Sequence, residues 1–481
     1  MRVARSSRAR AGCVTTCLVR LVAVLLLGGL AAVVIVTVVM VRTERLAPKL
    51  VGELANARSS QRAAYGPVTL LTGDAGEVGL LVFTARDEAS PPALSYLSGD
   101  PLAVRWDSAA LESGSIRTPP VIDADVAYLR DGERLLALDL PGGSRRWTAE
   151  LGAAIPDGCA SCVQPLEGAV AVLTADSTLR VLDAATGDLR WQTALDTTPR
   201  ELHVIAGNPA IVTSVPETDN TALLIFDAAE GSLHRRIQPR CEADGTVETL
   251  TPDSPVLYDP SARAIYFLFG FEQQGCAQRW AATTGERVWS SSIPLSNVPW
   301  PRAWRTDGPL LSSGAIYLAG ENGTSLLAVD TQDGSVRVIY QTGAYALDPW
   351  AQDGNVLLVH AERLDDVESD ELWGIDLTTG ERRWHYPIAL STSSWAAHRA
   401  ARGFAVSQLL SNPPRLQVDI LDAARGVPLR RHTLPVGSAA WTGTAWTDDT
   451  AWLTIGALYA VDLRTGIPAQ VWPPEQEQRF Q

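Results

Sequence analysis

From Tyr65 to Trp472 the chain alternates short apolar runs with Gly, Asp, Asn and Ser. That texture predicts strands joined by tight turns. In residues 126–147, VAYLRDGERLLALDLPGGSRRW, a strand runs from Val126 and turns at Asp131-Gly132. It returns through Leu138, turns again at Gly142-Gly143 and leaves through Trp147. Residues 315–340 repeat the scheme, with Asn322-Gly323 at the first turn, a strong hairpin signal. The N-terminal pattern is different. Leu21 to Val41 is 21 residues without a charge, enough for a helix across a hydrocarbon core of ~30 Å. Leu46, Leu50 and Leu54 then recur at helical spacing, predicting a short stalk over 42–64.

One phrase recurs through the strand-rich part. LDLPGGSRRW at 138–147, LDAATGDLRW at 182–191 and IDLTTGERRW at 375–384 are near copies. Aligned on an acid and a Gly four residues later, the phrase falls at Asp139/Gly143, Asp183/Gly187, Asp227/Gly231, Ala281/Gly285, Asp330/Gly334, Asp376/Gly380, Asp422/Gly426 and Asp462/Gly466. The gaps are 44, 44, 54, 49, 46, 46 and 40 residues, the length of one four-stranded propeller blade. The phrase reads as a third strand, a turn and an outer strand. Gly permits the tight turn, the acid can accept turn N–H groups, and the Trp that follows can bury a large area.

This phrase resembles the repeat of the pyrroloquinoline-quinone-type β-propellers, A-x-D-x-x-x-G-x-x-x-W. Ala137, Asp139, Gly143 and Trp147 match it fully. Asp183, Gly187 and Trp191, then Asp376, Gly380 and Trp384, match nearly so, and Gly285 and Trp289 keep the turn and the aromatic where the acid is lost. The resemblance covers residues 66–472 and implies that each Trp docks onto a neighbouring blade. Trp is replaced by Arg235, Val338, Arg430 and Gln470 in four repeats, and a solvated Arg235 is expected to tolerate truncation. The expected fold is an all-β propeller of about eight four-stranded blades over 65–473, preceded by a single transmembrane helix over 21–41 and followed by a short tail, 474–481. A ninth, eroded unit lies at 93–106, and the strands before residue 115 are expected to help close the ring against the last repeat.

Charge sharpens the topology. Residues 1–49 carry eight basic residues and one acid, so the chain's net −14 leaves −21 on residues 50–481. A body that acidic repels phosphate backbones and excludes nucleic acid as a partner. The basic first twenty residues suit a cytoplasmic tail, placing the propeller outside the cell membrane. There Cys159, Cys162, Cys241 and Cys276 are candidate disulfides, with three possible pairings.

The candidate chemistry is sparse. Six histidines stand singly, and no nucleophile elbow, metalloprotease helix or phosphate loop occurs. Quinoprotein dehydrogenases of the resembled family carry adjacent cysteines, which this chain lacks. An acidic insert, 360–372, reads as a solvated hairpin tip without the order of a calcium loop. Trp300 and Trp304, Trp350, Trp395, then Trp441 and Trp446 stand near the first strands of successive repeats. They pack between blades or ring the mouth of the funnel as a binding surface, for which Trp300, Trp350, Trp395 and Trp446 are the candidates. The expectation is a membrane-anchored, non-enzymatic scaffold without cofactor or metal, binding protein partners at the cell envelope. The resembled family's best-known non-enzymatic type is an assembly scaffold for outer-membrane β-barrel machinery. The alternatives are a quinone-binding redox enzyme or sensor and a small-ligand- or glycan-sensing ectodomain.

Overall fold

A computed structural model describes residues 63–472, leaving out loop segments of which 73–77, 86–90, 112–117, 295–308, 365–369 and 437–442 are the longest. The expected tail, transmembrane span and stalk lie outside the described residues, apart from the last two stalk positions. Among the described residues no helix is long and apolar enough to cross a membrane.

The described residues form nine four-stranded antiparallel sheets, each built from four consecutive strands, and one two-stranded hairpin. The blades span 63–107, 121–150, 163–194, 203–237, 256–294, 310–341, 345–387, 392–435 and 443–472. The hairpin, Arg240–Ala243 with Thr246–Thr249, lies between blades 4 and 5. Blade 1 corrects the expectation of about eight blades. Its turn, centred on Gly99, lacks the acid–Gly spacing that marks the other eight, while Trp106 keeps the aromatic position. The strands before residue 115 complete a blade of their own.

Within each blade the polarity of the strands sets their depth. Second and third strands are nearly continuous apolar runs, such as Ala169–Thr174 in blade 3, buried at every position. Such runs need cover on both faces, which only neighbouring blades supply. Outer strands alternate and stay largely exposed, as in Leu189–Ala194. First strands are half-buried, as in Val121–Asp123 and Gly443–Trp446, which suits the wall of a central channel.

The core is a chain of interfaces. Leu81 and Phe83 of blade 1 pack with Leu129 and Leu136 of blade 2. Tyr266 and Leu268 of blade 5 pack with Ile316 and Leu318 of blade 6. The series closes where Leu80, Val82 and Leu97 of blade 1 meet Trp452 and Leu458 of blade 9. Closure is therefore blade on blade, with no strand exchanged between the two ends of the ring. A sheet ring closed this way presents no apolar sheet face to water.

Candidate functional site

The recurring phrase builds the junctions. In blade 3 the carboxylate of Asp183 accepts the turn N–H groups of Ala185 at 2.9 Å and Thr186 at 3.0 Å. Arg190 on the outer strand adds an ion pair at 2.8 Å. That guanidinium first, then the turn N–H groups, holds the Asp183 pKa down to about 2. Asp376 repeats the arrangement with Thr378, Thr379 and Arg383. Asp139 accepts Gly142 N–H at 3.0 Å and pairs with Arg146. Where the acid is lost at Ala281, the turn keeps the bond from Glu286 N–H to Thr284 Oγ1, which Thr186 and Thr379 also make in blades that retain the acid.

The turn glycine makes room for the neighbouring blade's tryptophan. Gly187 sits at φ +78°, and a Cβ there would fall 2.7 Å from the Trp147 ring. At Gly426 the Cβ would fall 2.2 Å from Trp384. Each ring then donates its Nε1–H to the carbonyl following the acid position of the next blade. The pairs are Trp106 to Leu140 O, Trp147 to Ala184 O, Trp191 to Ala228 O, Trp289 to Thr331 O and Trp384 to Ala423 O, at 2.7–3.2 Å.

Two junctions without Trp keep that acceptor and change the donor, and a third changes both. Arg235 donates to Ala282 O and Thr283 O, both at 2.7 Å, and its Cδ covers Gly285 as an indole would. The expectation of a solvated, dispensable Arg235 is therefore corrected: the guanidinium is a dock. Between blades 6 and 7, Arg337 reaches Leu377 O at 3.4 Å, and the Ile339 backbone covers Gly380. Between blades 8 and 9 the ring of His432 takes the place and bonds Thr465 O at 2.9 Å. Val338 and Arg430, which hold the tryptophan positions of blades 6 and 8, stay exposed.

The first-strand aromatics sit at blades 7 to 9. Trp350 and Trp395 have ring centroids 4.7 Å apart, and His360 lies 4.9 Å from Trp395. Trp350 Nε1 donates to Ala397 O of blade 8 at 2.8 Å, so this aromatic also bridges a junction. Trp446 of blade 9 stacks on His398 of blade 8. Burial pushes the His398 pKa down to about 3, keeping the ring neutral. All three indoles are half-buried, and Trp300 lies outside the described residues. The structure thus brings Trp350 and Trp395 into one cluster and gives Trp446 a separate partner.

Two features escaped sequence reasoning. Tyr386 of blade 7 donates its hydroxyl to the buried Asp419 of blade 8, where Gln417 and Arg431 also converge. Gln408 donates to the same phenol oxygen at 2.9 Å. Burial, then the bond to Asp419, raises the Tyr386 pKa well above the usual phenol value. No spacing in the sequence connects these four strands' residues. The second feature is the pairing of the four candidate disulfide cysteines, which the sequence left open among three possibilities. Cys159 pairs with Cys162 inside a tight turn, and Cys241 pairs with Cys276, stapling the inserted hairpin to blade 5. Among the described residues no cluster of His, Cys, Asp and Glu is arranged to hold a metal.

Comparison with known proteins reaches nearly the whole ring. The family model described as outer membrane protein assembly factor BamB matches residues 89–252 and 273–467. No curated protein matches the chain. Among solved structures, BamB from Moraxella catarrhalis is 16% identical, covers 73% of this chain and 92% of its own, and superposes with a TM-score of 0.44. Quinohemoprotein alcohol dehydrogenase from Comamonas testosteroni is 13% identical over 70% of this chain and 69% of its own, with a TM-score of 0.41. Dihydro-heme d1 dehydrogenase NirN is 13% identical over 73% and 74%, with a TM-score of 0.47.

Proposed function

The chain belongs to the family described as outer membrane protein assembly factor BamB, and from that premise we propose that it is a protein-binding scaffold at the cell envelope. The observation that carries the reading is the family match over residues 89–252 and 273–467, which reaches from blade 1 to blade 9. A rigid ring offers partners a surface that costs little to organise on binding. In this reading the chain holds partner proteins during envelope assembly, as the family description implies.

The propeller is outside the cytoplasm in this proposal, tethered by the uncharged run Leu21–Val41 with the basic tail inside. Two disulfides support an oxidising compartment, because cytosolic thiol pools keep such pairs reduced. A reporter fused after Gln481 of the full chain tests the topology. It should be active only outside the cytoplasm; activity of a cytoplasm-only reporter would overturn this part.

Cross-linking in intact membranes tests the scaffold. The tagged full chain should capture the same defined set of envelope proteins in repeated experiments, and the purified protein should show no quinone absorbance. Bound quinone with alcohol-dependent reduction of an acceptor dye would replace the scaffold by a redox enzyme.

A further inference from the structure

Arginine is segregated in this molecule. The nine outer strands together hold twelve arginines and two acids, a balance of +10. The rest of residues 50–481 therefore carries −31. Much of this rim arginine serves the blades: Arg146, Arg190 and Arg383 pair with the phrase acids, and Arg235 and Arg337 dock on carbonyls.

Blade 8 departs from that economy. Its outer strand, Pro428–Pro435, is one of the two longest on the rim, eight residues against five or six in most blades. Its inner edge pairs with Pro414–Leu421, and among the described residues no strand pairs with its outer edge. The docking duty has moved to His432, which frees the tryptophan position for Arg430. Arg430 pairs through its backbone with Ile420, while its exposed side chain has no ion-pair or hydrogen-bond partner among the described residues. Arg431 beside it is tied to Asp419. Leu429 is 48% exposed, Val427 50%, and Ile467 of blade 9 adds an apolar neighbour at 51%. Ile467 follows Gly466, where a Cβ would lie 3.2 Å from the His432 ring.

We propose that the open edge of Pro428–Pro435 is the docking site for an extended, acidic segment of a partner polypeptide, which adds to blade 8 as a fifth strand. The inference rests on the scaffold reading above. Backbone N–H and C=O groups at a sheet edge supply the binding bonds, and side chains along it supply the choice of partner. Here the exposed side chains include Leu429 and Arg430, next to one another, with His432 and Leu434 half-buried and no acid on the strand. A partner strand carrying both carboxylates and apolar residues matches the charge of Arg430 and the exposed Leu429 beside it. A second copy of this strand would set arginine against arginine, which opposes self-pairing. A bilayer would leave the edge's backbone groups unsatisfied, where an added strand satisfies them.

The test uses the full-length protein and a labelled peptide of alternating valine and glutamate, with a valine–lysine counterpart and phosphatidylglycerol vesicles as comparisons. The expected result is binding of the glutamate peptide alone, weakening with added salt. Arg430→Glu and Leu429→Lys should each weaken it by about tenfold or more, with melting unchanged. Failure of the glutamate peptide to bind, equal binding of both peptides, vesicle binding in their place, or indifference to both substitutions would overturn the proposal. The scaffold reading is judged separately by cross-linking in membranes. If the Arg430→Glu, Leu429→Lys double variant captures the wild-type partner set in full, the scaffold stands and the edge assignment falls. If the peptide binds through this edge but the wild type captures no partner, the scaffold falls alone.

Discussion

The junction from blade 2 to blade 3 and the junction from blade 4 to blade 5 do the same work with different chemistry. In the first, Trp147 is 7% exposed, covers Gly187 and donates one hydrogen bond to Ala184 O. In the second, Arg235 covers Gly285 with its aliphatic stem and donates two bonds to consecutive carbonyls. In both, the acceptor is the carbonyl after the acid position of the phrase, and the covered glycine is the other shared part. The donor is interchangeable, provided it is long, planar and able to reach across. Indole holds mostly by area; guanidinium holds mostly by charged hydrogen bonds on an apolar stem. Position in the repeat therefore does not decide the role of a residue, because Arg430 occupies the equivalent place in blade 8 and its side chain has no ion-pair or hydrogen-bond partner among the described residues.

The largest effect is expected at the indole junction. Trp147→Ala should cost about 3–5 kcal/mol, the range of large aromatic truncations in a core. Chemical denaturation followed by tryptophan-independent circular dichroism would measure it; a cost below about 1 kcal/mol would show that the ring is held without the docks. Substituting the partner glycine comes next. Gly426→Ala places a methyl group against Trp384 and forces a left-handed φ of +65° on alanine, for an expected loss of about 2–4 kcal/mol. A variant as stable as the wild type would mean that this turn is not pinned.

A smaller effect separates the aromatic contact of blades 8 and 9 from the docks, since it depends on pH. The folded-state pKa of His398 is depressed to about 3, below its ordinary 6.5. The unfolded chain therefore takes up the proton first as pH falls, and stability is lost from about pH 6.5 downward. From pH 6.5 to 5 the loss from this group is at most about 2 kcal/mol. His203, lowered chiefly by burial against an opposing Glu201, adds a loss of the same sign. Melting of His398→Phe at both pH values should show a shallower dependence than wild type; identical slopes would remove His398 from the account.

Much of the ring was legible because the phrase carries its own physics. Gly for a turn, Asp for its N–H groups and Trp for area announce eight blades at a readable period. Blade 1 was not countable as an equal, because Gly99 and Trp106 are not preceded by the acid–Gly spacing. Arg235 was misread for a different reason. A charged residue on an outer strand reads as solvated, and nothing local reveals a carbonyl 47 residues away that accepts its proton. The Tyr386–Asp419 network was invisible on the same ground, as it joins residues 33 apart through a register only the folded sheets define. The first-strand tryptophans were legible as a recurring feature, whereas their pairing, Trp350 with Trp395 and Trp446 with His398, follows from how adjacent first strands face one another.

One paired measurement tests most directly the claim that the dock, and not the repeat position, makes the residue structural. Arg235→Ala and Arg430→Ala exchange the same residue type at the same repeat position, two different environments apart. Unfolding free energies for both should show a loss of about 1–3 kcal/mol at Arg235, where two charge-assisted hydrogen bonds and a covered glycine are given up. Arg430→Ala should stay within about 0.5 kcal/mol of the wild type. Equal losses at the two positions, of whatever size, would contradict the account.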